Sequence, residues 1–155
     1  MSRDFELSGS DGLRQRLYDL LEDDELSLAE KQRRALEVGR TRLGTDAAYI
    51  QRTVDDETSE MVAVVGDAGL PPAGEPMDRR TTYCRRTLEA TSPVALSDAT
   101  EQGFEDDPAY QEHGLNCYLG TTLFVRGETY GTVCFVSRGP RAAAFDSEED
   151  RKSVV

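Results

Sequence analysis

The chain has 155 residues and a formal net charge of −12, which together exclude several classes of protein. This length is that of one domain with room for a hydrophobic core. Only two of the 18 basic residues are lysines, Lys31 and Lys152. Because so acidic a surface repels nucleic acid and anionic membranes, we expect neither as a partner.

The sequence also lacks the marks of secretion and of membrane insertion. It contains no apolar run of about 18 residues and no basic, apolar leader. Its three cysteines, Cys84, Cys117 and Cys134, fit a reducing compartment better than a disulfide framework. We therefore expect a soluble, cytoplasmic protein. The acidic, lysine-poor composition favours a high-salt cytoplasm that screens repulsion, and an acidic bacterial protein is the alternative.

The N-terminal part predicts a flexible segment followed by two helices. Residues 1–12 are polar and are expected to be loose, whereas residues 13–155 are expected to form a single domain. Apolar residues recur at helical spacing over Leu13–Asp23. A second helix begins at Ser27, which forms a capping box with Glu30, and ends at Gly44. Its charged face leaves two interpretations open, ordinary packing or a role in dimerisation and signalling.

Strands and one further helix are predicted in the middle of the chain. Asp46–Val54 and Glu60–Val65 read as two strands, followed by a Gly/Pro-rich loop over Gly66–Met77. Asp78 is suited to capping a helix that runs to about Thr91. Pro93–Leu96 then reads as a short strand, because proline is tolerated at a strand's start.

A tight hairpin dominates the C-terminal part. It follows an acidic loop with a short helix over Asp98–Glu112, and its strands are Cys117–Val125 and Thr129–Ser137. Apolar residues occur at both odd and even positions of each strand, so both sides of the strand are apolar. This pattern indicates a sheet covered on both faces. Arg138–Phe145 is a connector to a last helix, expected to be short or truncated. The fold class is therefore α+β, with a central antiparallel sheet of five to six strands.

An ordered set of motifs resembles the GAF domains of signalling proteins over roughly residues 13–155. Upstream, it includes Thr82-Tyr83-Cys84, Thr87-Leu88 and the run from Pro93 to Asp98. At the hairpin, its elements are Tyr118-Leu119-Gly120, Gly127, Tyr130-Gly131-Thr132-Val133-Cys134-Phe135, Arg141 and Phe145. The leading helices are similar to those of GAF domains found beside PAS domains and histidine kinases in haloarchaeal and bacterial proteins.

This resemblance implies a sensory or regulatory domain without catalysis of its own. Terminal helices would cover one face of the sheet, and a middle helix with loops would enclose a pocket on the other. A small-molecule ligand, a homodimer formed through the terminal helices, and an attached kinase or transcription regulator as output are implied. The expected ligand-binding residues are Tyr83, Cys84, Asp98, Tyr110, Tyr118, Phe124 and Cys134, with Arg79 or Arg85 available to an anionic ligand.

Several alternatives stay open at this point. A ligand-free dimerisation and relay module is one, and a thiol enzyme resembling free methionine sulfoxide reductase is another. Cys84 is either a redox-sensing thiol or a small core residue, and neighbouring arginines would favour its thiolate. Cys117 and Cys134 differ in parity, which argues against a disulfide between them. His113 is either a haem ligand or a surface residue. Neither metal nor cofactor is expected, because no cysteine pair has ligand spacing and the Cys-His pair of bilin-binding relatives is missing.

Overall fold

The computed structural model of the protein describes residues 23–90 and 93–140. The expected flexible segment 1–12, the helix over Leu13–Asp23 apart from its last residue, and the chain from residue 141 onward lie outside the described residues. The described elements are α1 (Leu28–Leu43), β1 (Ala47–Thr53), β2 (Thr58–Gly66), β3 (Pro76–Asp78), a 3-10 helix (Arg79–Thr81), α2 (Cys84–Glu89), β4 (Val94–Leu96), α3 (Pro108–His113), β5 (Cys117–Val125) and β6 (Glu128–Ser137).

The described strands form one six-stranded antiparallel sheet in the order β3-β2-β1-β6-β5-β4. This confirms the α+β class with a central antiparallel sheet. The central hairpin turns through Arg126 and Gly127, which have φ values of 54° and 81°. Positive φ at both positions matches the right-handed twist of the paired strands, which is why glycine is favoured there.

Helix α1 covers one side of the sheet, which we call the helix face. The N-cap and C-cap residues are those predicted: the Ser27 hydroxyl accepts from the Glu30 amide, and Gly44 adopts the left-handed conformation. The Glu30 carboxylate pairs with Arg34 rather than completing a capping box. The helix buries Leu36, Gly39 and Leu43 against apolar residues of the sheet, among them Ala48, Ile50, Cys117, Leu119, Val133 and Phe135.

The opposite side, which we call the covered face, lies under α2, α3 and their loops. Its core contains Tyr49, Tyr118, Cys134 and Val136 from the sheet. Residues from the covering segments pack against them, namely Tyr83, Cys84, Ala99, Ala109 and Leu115. The alternation in the hairpin therefore assigns side chains to the two faces as the sequence predicted, with Cys117 and Cys134 on opposite sides.

The segment between β2 and β4 differs from its prediction. Residues Pro76–Asp78, expected to belong to a loop and a helix cap, form an edge strand against β2. Asp78 caps a single 3-10 turn, through a hydrogen bond from the Arg80 amide. Thr82 then returns to an extended conformation, so the helix predicted over Asp78–Thr91 is reduced to the six residues of α2.

A buried carboxylate ties α2 to α3. Asp107 caps α3 by accepting from the Ala109 amide at 2.9 Å. Its oxygens also accept from the guanidinium groups of Arg85 and Arg86, at distances from 2.6 to 3.0 Å. Burial opposes ionisation of Asp107, but these hydrogen bonds outweigh it and hold the pKa of Asp107 below its ordinary value. Arg86 also lies 4.9 Å above the ring centroid of Phe104.

Substitution of Gly131 tests the close approach of β1 and β6. A Cβ at this position would overlap the carbonyl oxygen of Gln51, which is backbone and cannot move aside. We expect Gly131→Ala to lower the free energy of unfolding by about 3 kcal/mol or more, measured by urea denaturation. Gly139→Ala is the control, since a Cβ there meets nothing within 4 Å. Equal stability of the two variants would contradict the strand spacing.

Substitution of Asp107 tests the link between α2 and α3. Asp107→Asn leaves two arginines without their carboxylate, and we expect a loss of about 2 kcal/mol at neutral pH. A carboxyl whose pKa is lowered on folding stabilises the protein above its unfolded pKa, and this contribution is lost as the pH falls through the folded pKa.

The stability gap between wild type and Asp107→Asn should therefore narrow below about pH 4, which urea denaturation over a pH series measures. Asp106→Asn is the matched control, because Asp106 is the exposed neighbour in sequence. A gap independent of pH would show that the carboxylate charge is not what joins the helices.

Candidate functional site

Strand pairing places the side chains of the covered face in four rows. Across β1, β6 and β5, the first row contains Ala47, Val136 and Tyr118, and the next contains Tyr49, Cys134 and Gly120. The third row contains Gln51, Thr132 and Thr122, and in the fourth Thr53 faces Ser59 of β2. The face thus changes from apolar side chains at one end to hydroxyl and amide groups at the other.

A cluster of two thiols and several hydroxyls lies at the middle of this face. The Sγ atoms of Cys84 and Cys134 are 3.6 Å apart. The Tyr49 hydroxyl lies 3.6 Å from Cys84 Sγ, and the Tyr118 hydroxyl lies 3.2 Å from Cys134 Sγ and 3.8 Å from Cys84 Sγ. All four side chains are almost completely buried.

Tyr118 connects this cluster to the helix above it. Its hydroxyl is 2.6 Å from the Thr87 hydroxyl on α2. Its ring lies along β5 over Gly120, where a Cβ would overlap the Tyr118 hydroxyl. Gly120 is therefore required for the position of Tyr118, since any side chain there would displace the phenol from α2 and from both sulfurs.

Burial and hydrogen bonding give the two thiols different acidities. Burial opposes ionisation of Cys84, but hydrogen bonds from Cys134, Thr132, Tyr49 and Tyr118 outweigh it, so the pKa of Cys84 lies below its ordinary value. Burial and the neighbouring Cys84 raise the pKa of Cys134. Burial likewise raises the pKa of both tyrosines, which stay protonated and able to donate. These directions favour the thiolate at Cys84 and the protonated thiol at Cys134.

Four of the seven residues predicted to bind a ligand come together here. Cys84, Tyr118 and Cys134 are in the cluster, and the Tyr83 ring packs on Tyr118 with centroids 5.2 Å apart. The Tyr83 hydroxyl donates to the Leu115 carbonyl at 3.0 Å. Tyr110 packs at the margin of the same core and is half-buried.

Two other predicted residues have different surroundings. Asp98 caps the turn that begins at its own position, since its Oδ1 accepts from the Thr100 hydroxyl and the Glu101 amide. Phe124, predicted to line the pocket, is 65 % exposed, and that placement is wrong. The pairing of β5 with β6 shifts between Leu123 and Phe124, so Phe124 lies beyond the irregularity and near the hairpin turn.

The charged candidates also find partners within the protein. Arg85, considered for an anionic ligand, is held by Asp107. Arg79 donates to the Asp55 carbonyl at 2.5 Å. His113 ends α3 and is half-buried, which differs from the surface position considered for it; burial lowers its pKa. Within the described residues, no group of three or more potential metal ligands is found.

Sequence reasoning missed the polar end of the covered face. Gln51 is 2 % exposed, and its amide nitrogen donates to the Met77 sulfur at 3.0 Å. Its Oε1 and the Thr53 Oγ1 are both buried, and neither has a hydrogen-bond partner among the described residues. The signal was a glutamine on the apolar strand Ala47–Thr53, at the same parity as Tyr49.

Comparison with known proteins identifies the fold. The family model described as "GAF domain" matches residues 27–153. The phycocyanobilin-bound GAF domain of a cyanobacterial phytochrome is 14 % identical, with a TM-score of 0.71 over 93 % of this chain and 86 % of that one. The GAF domain of an Acinetobacter phosphoenolpyruvate-protein phosphotransferase is 15 % identical, with a TM-score of 0.68 over 94 % and 84 %.

A third solved structure is an enzyme, the free methionine-R-sulfoxide reductase from Neisseria meningitidis with its substrate. It is 14 % identical, with a TM-score of 0.65 over 91 % of this chain and 78 % of that one. No curated protein sequence matches the chain. No helix in the described part is long and apolar enough to cross a bilayer. The family match spans most of the sequence and the fold agrees with it, so the chain belongs to the GAF domain family.

Proposed function

We propose that this GAF domain is a sensory or regulatory module that binds a small molecule on its covered face. The observation that carries the proposal is the pair of buried acceptors, Gln51 Oε1 and Thr53 Oγ1. A buried polar atom without a partner costs about 1–3 kcal/mol. A ligand that donates hydrogen bonds to both atoms would offset this cost.

The surroundings of these atoms indicate the chemistry of the ligand. Gln51 lies between Met61 on β2 and Thr132 on β6, and Met77 contacts its amide. The rest of this row is hydroxyl-bearing or apolar, and the arginines on α2 are held by Asp107. An uncharged molecule with N–H or O–H donors and an apolar body suits these groups better than an anion does.

The signal would pass through the elements that cover the face. Helix α2 is only six residues long and is tied to α3 through Asp107 and to the sheet through Thr87 and Tyr118. A ligand that moves α2 would alter the sheet's packing and, through it, the terminal helices that join an output domain such as a kinase or a transcription regulator. We propose that these helices also form a homodimer, which would cover Leu28, 69 % exposed in the first turn of α1.

The ligand-free relay module remains a second candidate because of the thiol–hydroxyl cluster. Its groups satisfy one another, as the contacts of Tyr118 with Thr87 and Cys134 show. That half of the face is complete without a ligand. We propose that catalysis is not the function, and place any bound molecule at the polar end with Gln51 and Thr53.

Substitution of Gln51 tests the proposal. Gln51→Leu removes the buried acceptor and keeps a similar volume, so we expect the melting temperature to be unchanged or higher. Wild type is screened by thermal shift against uncharged N–H donors, including purine bases, indoles and simple amides. For a compound that stabilises wild type, Gln51→Leu should weaken binding by about tenfold or more, measured by calorimetry.

Gln111→Leu provides the matched control, because Gln111 is an exposed glutamine on α3. It should bind the same compound as wild type does. Two results would contradict the site: full affinity in Gln51→Leu, or a large loss of stability showing that the glutamine is needed for folding alone.

A further inference from the structure

Two thiols from distant parts of the sequence meet beneath α2. Cys84 is the first residue of α2, and Cys134 lies in the middle of β6, 50 positions later. Their sulfurs are 3.6 Å apart, with 1 % and 0 % of each residue exposed. The third cysteine, Cys117, belongs to the core on the helix face. The sheet therefore separates Cys117 from Cys84 and Cys134.

The spacing of the pair suits formation of a bond. A disulfide places the sulfurs about 2.05 Å apart, so Cys84 and Cys134 need to approach by roughly 1.5 Å. Cys134 is fixed within the central sheet, where β6 pairs with both β1 and β5. Cys84 lies in a six-residue helix whose N-cap, Tyr83, makes no side-chain capping bond. Closing the remaining gap requires α2 to move toward β6.

The hydrogen bonds of the cluster prepare one thiol to react first. Cys84 accepts from tyrosine hydroxyls and from Cys134, and these donors stabilise its thiolate and lower its pKa. The thiolate is the nucleophile in oxidation and exchange reactions. Cys134 keeps its proton, which it can donate either to Cys84 or to the Thr132 hydroxyl at 3.4 Å. This asymmetry gives an attacking thiol and a resolving thiol within contact.

We propose that Cys84 and Cys134 are a redox-active pair that forms a reversible intramolecular disulfide when the domain meets a hydroperoxide. This inference does not rest on the binding of a small molecule at Gln51. The disulfide would be a second signal received on the covered face, and it would act through a covalent bond.

The reaction balances with the hydroperoxide as the oxidant. The Cys84 thiolate attacks the terminal peroxide oxygen, the O–O bond breaks, and the alkoxide or hydroxide leaves and takes up a proton. Cys84 is then a sulfenic acid. The Cys134 sulfur attacks the Cys84 sulfur, the S–O bond breaks, and the hydroxide leaves as water with the Cys134 proton. Two thiols are oxidised by two electrons in total, and the hydroperoxide is reduced to an alcohol or water, plus one further water.

Bond formation would also change the hydrogen bonds around the sulfurs. The Tyr49 and Tyr118 hydroxyls lose a thiolate acceptor, and α2 becomes covalently attached to β6. Because Thr87 and Arg85 extend the contacts of α2 to Tyr118 and Asp107, the shift of Cys84 reaches both the sheet and α3. Reduction by a cellular dithiol would reverse it.

Peptide mapping tests the proposal directly, because trypsin places each cysteine on its own peptide. Cleavage after arginine yields residues 81–85 with Cys84, 87–126 with Cys117 and 127–138 with Cys134. The folded protein is treated with hydrogen peroxide and then denatured in the presence of an alkylating reagent. It is digested with trypsin without reduction. We expect peptides 81–85 and 127–138 to be joined with the loss of two hydrogen atoms, and peptide 87–126 to be alkylated.

Single variants assign the order of the steps. In Cys134→Ser, peroxide should leave Cys84 as a sulfenic acid that dimedone labels on peptide 81–85. In Cys84→Ser, peptide 127–138 should carry little label, and Cys117→Ser should form the same cross-link as wild type. Full alkylation of all three cysteines in oxidised wild type would overturn the proposal, and so would a cross-link that includes Cys117. The wild-type result is decisive even where a variant fails to fold.

Discussion

The structure depends on a sheet that is buried on both faces. Strands β1, β5 and β6 lie at its centre, and each must offer apolar side chains to α1 on one side and to the covering helices on the other. Such strands leave little room for polar groups. The polar residues that do occur there, such as Gln51, Thr132 and the two cysteines of the covered face, are therefore informative, because burial makes each of them costly unless it is paired.

These residues divide the covered face into two parts with different properties. The thiol–hydroxyl cluster is internally bonded and is linked to α2 through Tyr118 and Thr87. The end that contains Gln51 and Thr53 has acceptors that no described residue satisfies. One part is suited to a change in covalent bonding and the other to a ligand. The cluster lies beneath α2, whereas Met77 of β3 contacts Gln51 at the polar end.

Local patterns predicted much of this fold. The caps Ser27 and Gly44 predicted the ends of α1. Apolar residues at both odd and even positions of the hairpin predicted its pairing and the side chains on each face of the sheet. The bounds of the 76–91 segment were wrong because they depend on the pairing of Pro76–Asp78 with β2, a contact made across a loop. The exposure of Phe124 follows from a shift in strand pairing that parity alone does not show.

The candidate site was only partly predictable for a similar reason. Tyr83, Cys84, Tyr118 and Cys134 were assigned to one face from parity and family resemblance, yet the contact between the two sulfurs joins residues 50 positions apart. Residue spacing in the sequence does not reveal such a contact, because Cys84 lies on a helix and Cys134 on a strand. Gln51 was overlooked because one polar residue in an apolar strand looks like an exposed position until both faces are known to be covered.

We propose above that the covered face takes up a small molecule at its polar end. The most direct measurement is a native mass spectrum of the domain after incubation with a small-molecule extract of bacterial cells, compared with its denatured mass. We expect a non-covalent adduct on wild type that is lost on denaturation and is absent from Gln51→Leu. The bare polypeptide mass under both conditions, or an adduct retained by Gln51→Leu, would contradict it.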